Sequence, residues 1–425
     1  MTAPVIWEGD VVVVGGGSAG AAAAVAAARA GARTLLVEAA GFLGGTGAAV
    51  LDTFYGFYPP GGGGARVVGG VGWEVADRLL AEGQAFERPN TYGAGTGVTY
   101  EPEALKRVWD DLAAAAGVAV LLHATCTGVR REGRRVTGLL VETKAGTRSV
   151  TARSIVDASG DAEVAWRAGA ALERPSAQRR VQPLTATFRL GGVDTSRLST
   201  KELHDRMASS ASAYRLPRRE GSVHRTVLPG VVHTNLTRVS GVDPTDPWEL
   251  SAAEAEGRRQ VAEYVRFLVN EVPGYESAYL LHTSVRIGVR ETRRLVGRYV
   301  LTRDDVLGAR DFPDAIARCG APVEDHDGGA TTVWAYVGGA PTGRTYGVPY
   351  RCLLPVELDN LLVAGRCLSA THDAHASVRS MAQCMALGQA AGTAAALASE
   401  RGGAAGELDP TAVRDRLAAT GAILS

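Results

Sequence analysis

Four consecutive valines at positions 11–14 follow the acidic residues Glu8 and Asp10 and run straight into glycine. A short unbroken apolar run bounded by a turn signal predicts a strand buried on both faces. The alanine-rich stretch after it, "SAGAAAAVAAARAGAR", stops at Gly31 and predicts a helix that packs closely on its neighbours. "TLLVE" is apolar again and closes on Glu38, which completes a strand, helix, strand unit. Residues 102–116 carry Leu105, Val108, Trp109 and Leu112 at helical spacing, with Pro102 at the start and Gly117 at the end. From Val118 to Ala158 short alternating segments are broken by "REGRR" and "KAG", the pattern of an antiparallel meander returning to a buried strand in "SIVDASGD". Asp161 then stands where it would cap a helix through Ala168.

From about residue 172 the texture changes. "LTATFRLGG" and "GVVHTNLTRVSG" read as half-buried strands, and Asp246-Pro247 opens a long helix carrying Leu250, Val261, Tyr264, Val265 and Leu268 on one face until Pro273. Near the C-terminus "NLLVAGRCLS" is a short strand into Gly365, followed by an alanine-rich helix, "SMAQCMALGQAAGTAAALASE". The glycine-rich stretch "YPPGGGGARVVGGVG" at 58–72 predicts a loop. The chain therefore reads as α/β. A Rossmann-like nucleotide-binding domain in two pieces, 1–171 and 345–402, encloses an inserted α+β substrate or cap domain at 172–344, and a helical tail occupies 403–425.

Gly15, Gly17 and Gly20 stand in the G-x-G-x-x-G spacing between the first strand and its helix. The three have separate tasks: a tight turn, close approach of a pyrophosphate to the backbone, and contact between helix and strand. The flanking strands and the terminal Glu38 make this a dinucleotide fingerprint, since that carboxylate accepts a ribose hydroxyl and repels a 2′-phosphate. FAD and NAD share the fingerprint, so the unit alone leaves both open.

Charge adds exclusions. Of 425 residues, 45 are Lys or Arg and 45 Asp or Glu, so no global field favours nucleic acid or an anionic membrane. No uninterrupted apolar stretch reaches the ~20 residues of a membrane helix. The alanine run is not expected to be a signal segment, because acidic residues precede it and Arg29 interrupts it. The five cysteines include no C-x-x-C pair and are expected to be reduced thiols of a cytoplasmic protein. Nothing in the pattern sets the oligomeric state.

Candidate chemistry gathers in two stretches. "GRCLSATHDAHASVRS" carries His372, His375 and Arg379, and a metal there would need more ligands than the nearby Asp373, so no metal is expected. Imidazole titrates near neutrality, which makes His372 a candidate proton handler, with His375 in support. "HTSVRIGVRETRR" sets Arg286, Arg290, Arg293 and Arg294 around Glu291. Such density can clamp a carboxylate through a bidentate arginine or form a surface network, the latter expected of Arg293 and Arg294. Arg286, together with Arg351 in "PYRCLLP", is a candidate for the pocket. "EDHDGG" at 324–329 reads as a loop.

Five blocks in order, "VVVVGGGSAGAAAAVAAARAGARTLLVEAAGFLGG", "IVDASGDAEVA", "TSVRIGVRETRRLVGRYVLTRDDV", "GVPYRCLLP" and "NLLVAGRCLSATHDAHASVRSMAQCMALGQAAGTAAALA", resemble FAD-dependent oxidoreductases of the glutathione-reductase-type flavoprotein fold. Similarity to fumarate reductase and aspartate oxidase flavoproteins is more distant. The resemblance implies that Gly15, Gly17, Ser18, Ala19 and Gly20 hold the FAD pyrophosphate, Glu38 the adenosine ribose, and the strand at Cys126 the adenine. Gly45, Thr46 and Gly160 would join them, and Gly365 and Arg366 would approach the ribityl chain and diphosphate. The helix opening at "MALGQAAG", with Gly388 and Ala390, would aim its amides at the flavin.

Ala382 stands where the family often has proline. Fumarate reductase relatives can attach FAD to a histidine soon after this glutamate, and no histidine lies between Glu38 and His123, so the resemblance implies that FAD is held noncovalently. The implied activity is hydride transfer between flavin N5 and a small organic substrate, for which the arginines favour an anion. His372, Arg379, Arg286 and Arg351 would act on that substrate, with O2 or another electron acceptor or donor as partner. Desaturation, oxidation of a C–O or C–N bond, and enoate reduction all remain open. A flavoprotein acting on nucleic acid, or one relaying electrons to a partner, would show a basic stripe or cysteine clusters, and the sequence has neither.

Overall fold

The computed structural model describes residues 3–425 except 90–92, 177–180, 211, 327–331 and 403. The four valines end strand β1 (Val5–Val14), and all four are buried. The chain turns through the glycines into helix α1 (Ser18–Arg29) and strand β2 (Thr34–Val37), which runs parallel to β1 with Val11 opposite Thr34. A single turn α2 (Thr46–Ala49) and strand β3 (Thr53–Phe54) follow, then helix α3 (Gly70–Ala81) and strands β4 (Ala85–Arg88) and β5 (Gly97–Tyr100). Strands β3, β5 and β4 form a small antiparallel sheet. The stretch 58–72 is thus a loop only as far as Gly69, because its last three residues open α3.

Helix α4 (Pro102–Ala116) has proline in its first turn, buries Leu105, Val108, Trp109 and Leu112, and ends at Gly117 in the left-handed conformation. Strand β6 (Ala119–Leu121) adds to β2, and β7 (Thr125–Glu132), β8 (Arg135–Thr143) and β9 (Gly146–Asp157) form the expected meander. The far half of β9 runs parallel to β1. Helix α5 (Glu163–Arg167) is capped by Asp157, which accepts from the amides of Val164 at 2.8 Å and Ala165 at 2.9 Å. Asp161, expected to be that cap, instead accepts from Thr292 and pairs with Arg366.

Strand β10 (Leu172–Glu173) precedes β11 (Phe188–Gly191), helix α6 (Thr200–Ser209), β12 (Ser222–Arg225), β13 (Val232–Asn235), helix α7 (Pro247–Glu271) and β14 (Tyr279–Thr283). Strands β11 to β14 form a four-stranded antiparallel sheet in the order β12-β13-β11-β14. Its core joins Phe188, Leu190 and Val232 to Val261, Tyr264, Phe267 and Leu268 of α7. β11 is buried along its whole length rather than on one face, because it is sandwiched between other elements. α7 starts where Asp246 accepts from the amides of Trp248 and Glu249, both at 2.9 Å.

Strand β15 (Arg294–Leu295) pairs with β10, helix α8 (Arg303–Leu307) follows, and β16 (Ala315–Cys319), β17 (Val323–Asp325), β18 (Val333–Ala335) and β19 (Tyr346–Pro349) make two short ladders. Strand β20 (Leu361–Val363) then adds to β9 in parallel, completing a seven-stranded sheet. Helices α9 (His372–Val378), α10 (Met381–Glu400) and α11 (Pro410–Ala419) end the chain.

α10 lies against α1 with glycine at the crossing. A Cβ on Gly388 would stand 2.7 Å from the carbonyl carbon of Ala19, and one on Gly392 the same distance from that of Ala23. The first and last segments of the chain are thereby locked into one layer over the sheet. No helix among the described residues is long and apolar enough to cross a membrane.

Candidate functional site

A single cleft of about 520 Å³ begins at the end of β1 and α1 and runs to the antiparallel sheet. At its first end Gly15, Gly17, Ser18 and Ala19 form the floor. Gly15 adopts φ 96°, and a Cβ there would meet the Ala158 carbonyl oxygen at 2.5 Å. Gly20 does not line the cleft; a Cβ on it would stand 2.9 Å from the Gly15 carbonyl carbon, so its smallness serves contact between helix and turn. A Cβ at Gly17 would meet only the Gly45 Cα, at 3.8 Å. Gly17 and Gly45 approach closely, since a Cβ on Gly45 would stand 2.6 Å from the Gly17 Cα. No acidic residue stands in the first turn of α1, so its unpaired amides and positive dipole end are available to a diphosphate.

Glu38 lines the same end. Its Oε2 accepts from the Gly16 amide at 2.5 Å and its Oε1 from the Ala40 amide at 2.7 Å, which pins the carboxylate while leaving lone pairs for ribose hydroxyls. Gly45, Thr46, Cys126 and Gly160 also line the cleft. Burial pushes the Cys126 thiol up to about 11, so it is a neutral wall. Gly365 adopts φ 82° beside Ala19, and Arg366 pairs with Asp161 at 2.7 Å, next to Gly160.

The helix terminus on the cleft is that of α10 at Met381, four residues before the expected opening at "MALGQAAG". Ser380, Met381 and Cys384 line the cleft there. Gly388 and Ala390 do not: Gly388 packs on α1 and Ala390 is fully buried. The amide of Ala382 donates to the Tyr55 carbonyl at 3.3 Å, a bond that proline at this position could not make.

Arginines gather at the far end. Arg286, Arg290 and Arg379 line the cleft, with Glu324 and His326 beside them. Among the described residues Arg379 reaches only the Glu324 carbonyl, at 3.5 Å, and its Nε is buried without a partner. Burial lowers the pKa of both Arg290 and Arg379, and for Arg290 the neighbouring Arg379 and Arg218 add to the effect. Burial also acts to raise that of Glu324, but His326, Arg379 and Arg290 hold its carboxyl down at about 2. This end therefore favours an incoming anion. Of "EDHDGG", Glu324 and Asp325 lie on β17 rather than in a loop, and 327–329 fall outside the described residues.

Two expected catalytic residues are elsewhere. Arg351 is 44% exposed and pairs with Asp314 at 2.9 Å, away from the cleft. His372 does not line the cleft either. Its Nδ1 lies 2.8 Å from Glu291 and its Nε2 3.3 Å from Gln182, so Glu291 has captured the ring. His375 is fully buried and its Nε2–H donates to the Arg366 carbonyl at 2.8 Å, a supporting position. Arg293 and Arg294 are buried rather than superficial: Arg293 joins Asp161 and Glu163, while Arg294 bridges Glu291 and Glu173.

Pairing with Glu291 raises the His372 pKa, although burial opposes it. Glu291→Gln removes the charge, so His372 is expected to titrate lower; ring-proton NMR across pH 5–9 checks this, and an unshifted midpoint would contradict the pairing.

Sequence reasoning passed over Asp52, His224 and His233, which line the cleft at its far end. His233 sits in the quoted "GVVHTNLTRVSG", but only strand register brings it opposite His224. All five cysteines are free and buried.

Comparison with known proteins bears on this geometry. A family model described as FAD dependent oxidoreductase matches residues 10–417. A search of curated proteins finds no match. Among solved structures, p-nitrophenol 4-monooxygenase PnpA from Pseudomonas putida superposes with a TM-score of 0.53 at 13% identity, over 97% of this chain and 84% of that one. The flavin-dependent brominase Bmp2 superposes at 0.51 and 14% identity, over 96% and 83%. At such identities the superpositions speak to fold alone. The family match spans nearly the whole chain, and the glycine turn stands at the head of the cleft: the protein belongs to the FAD-dependent oxidoreductase family.

Proposed function

We propose that the cleft holds FAD noncovalently and that the enzyme transfers a hydride between flavin N5 and a small organic anion bound at the arginine end. The observation that carries this reading is the continuity of one cleft from the glycine turn and Glu38 to Arg290 and Arg379. When bound, the flavin supplies the two-electron chemistry. Gly15, Gly17 and Ser18 receive the diphosphate at the N-terminus of α1, and Glu38 accepts the adenosine ribose hydroxyls. The first turn of α10, free of acidic side chains, presents its positive end to the ring edge where negative charge collects.

Arg290 and Arg379 orient a substrate carboxylate. Burial pushes the Cys384 thiol up to about 12, which disfavours a covalent link through it. O2 or another carrier closes the cycle. We keep 172–344 as the inserted substrate domain, since the sheet that carries the far wall lies within it, and retain the glutathione-reductase-type flavoprotein fold as the finer assignment.

Purified protein is expected to be yellow, or to take up about one FAD per chain on reconstitution; colourless protein that binds none would end this reading. Arg379→Gln is expected to keep the flavin but raise the KM for small carboxylates that bleach it roughly tenfold to hundredfold, the loss typical of a charge-assisted pair. His372→Ala is expected to leave the rate of anaerobic flavin reduction within about twofold, because His372 lies off the cleft; a larger fall would restore it to the site.

A further inference from the structure

Three residues that no sequence motif marks converge on the cleft wall. Strands β12 and β13 pair antiparallel with His224 opposite His233, and the two rings sit 5.3 Å apart at 35°. Asp52, at the entry to β3 and only 1% exposed, reaches both: its Oδ1 is 2.9 Å from His224 Nε2, and its Oδ2 is 3.5 Å from His233 Nδ1. Arg189 approaches the same Oδ2 at 3.1 Å and reaches Glu101 at 2.9 Å. The segment after Asp52 is tied to the first turn of α10: Ala382 donates to the Tyr55 carbonyl and Gln383 Nε2 to that of Gly56, the latter at 2.7 Å.

Proton counting fixes the tautomer of His224. An ionised carboxylate only accepts, so the N–H of His224 sits on Nε2, while His233 Nδ1 stands in charge contact with the same carboxylate at 3.5 Å. His224 Nδ1 therefore carries a lone pair, and it and His233 Nε2 are buried without a hydrogen-bond partner among the described residues. A carboxylate holding one nitrogen while the other is left bare is the arrangement that makes imidazole a general base.

We propose that His224, oriented by Asp52, is the proton acceptor of this cleft, that His233 helps to hold the same group, and that the substrate bears an O–H or N–H on the carbon that yields hydride. This rests on the flavin reading above. The C–H bond breaks with its electron pair passing to oxidised flavin, the O–H or N–H proton passes to the bare nitrogen of His224, and the pair left behind becomes the C=O or C=N bond. Substrate loses two electrons and FAD gains them. With a carboxylate on Arg290 and Arg379, the class is a 2-hydroxy or 2-amino acid, which selects oxidation over enoate reduction.

The groups facing the pair are Asp52, Arg189 from β11, Arg88 from β4, Tyr100 from β5 and His282 from β14. Burial lowers both imidazoles, His233 to about 3; Arg189 adds to this for both and Arg88 for His224, while Asp52 opposes it. Both rings are therefore bases already free of protons at neutral pH.

Diethyl pyrocarbonate, which acylates neutral imidazole, tests this without a known substrate. On the isolated holoprotein the labelling rate of His224 is expected to rise less between pH 5.5 and 7.5 than the about tenfold of free imidazole, because its pKa is lowered. The exposed His282 serves as the control for access of the reagent. Labelling of His282 with none at His224 or His233 would show the rings sealed and overturn the proposal.

His224→Gln keeps an N–H for Asp52 and is expected to retain FAD, while bleaching by lactate, malate, alanine or aspartate falls at least about a hundredfold. Undiminished bleaching removes His224. A wild-type protein that binds FAD yet is bleached by no 2-hydroxy or 2-amino acid loses the proposed substrate class, whereas protein that binds no FAD fails the underlying reading instead.

Discussion

Gly388→Val is expected to abolish flavin retention and to lower the melting temperature by about 3 °C or more. Even the first carbon of a side chain at 388 would stand 2.7 Å from the carbonyl carbon of Ala19, and the obstacle is helix backbone, which cannot rotate aside. Overpacking of this kind costs about 3 kcal/mol or more when relief requires two helices to separate. At ~1 °C per kcal/mol for a chain of this size, a fall of about 3 °C or more follows. Ala19 belongs to the first turn of α1 and lines the cleft, so moving α1 also disrupts the floor on which a diphosphate would rest. The ratio of flavin to protein absorbance and a thermal melt measure both effects. A variant with wild-type flavin content would mean that the crossing of α1 and α10 is looser than the geometry states.

Acidification is expected to produce the second large effect, a loss of several kcal/mol of stability between pH 7 and pH 4. Burial holds His233 and His326 at about 3, and His224 and His375 are also lowered. Below about pH 6.5 the unfolded chain takes up protons that these buried rings refuse. Their contribution is therefore present above about pH 6.5 and drains away as the pH falls toward about 3. Each refused proton adds up to about 1.4 kcal/mol per pH unit to the slope. His372 works in the other direction: its pKa is raised, so its stabilisation is full below about pH 6.5 and is lost as the pH rises through its folded value. Four lowered rings outweigh one raised ring. Urea midpoints at pH 4, 5, 6 and 7 check the slope, and His326→Gln is expected to flatten it; a midpoint independent of pH would contradict the buried neutral state.

Elements whose signals are local were legible. Helix α7 follows from Asp246-Pro247 and its apolar stripe, and α4 from Pro102, Leu105 through Leu112 and Gly117, because caps and periodicity act within one segment. Helix α3 was hidden. Its positions Val71, Val75 and Leu79 keep helical spacing and are buried, but the glycine-rich run in front of them reads as loop. The cofactor end was legible for the same local reason, since the glycines and Glu38 lie within one βαβ unit.

The substrate end was not. His372 and Arg379 stand seven residues apart in one motif, yet only Arg379 reaches the cleft, because Glu291 arrives from a distant segment and takes His372. Arg351 is likewise claimed by Asp314. Conversely, Asp52 and His224 are separated by 172 residues and meet only when β3 and β12 are brought to the same wall.

The sequence by itself determined the nucleotide-binding unit, the long helices and the alternation of strand and helix, because hydrophobic period, glycine turns and caps are properties of neighbouring residues. Tertiary structure alone decided which charged and titratable side chains face the cleft. A carboxylate, an imidazole or a guanidinium takes its chemistry from the partners within about 4 Å and from its burial, and those partners come from segments that no local pattern connects.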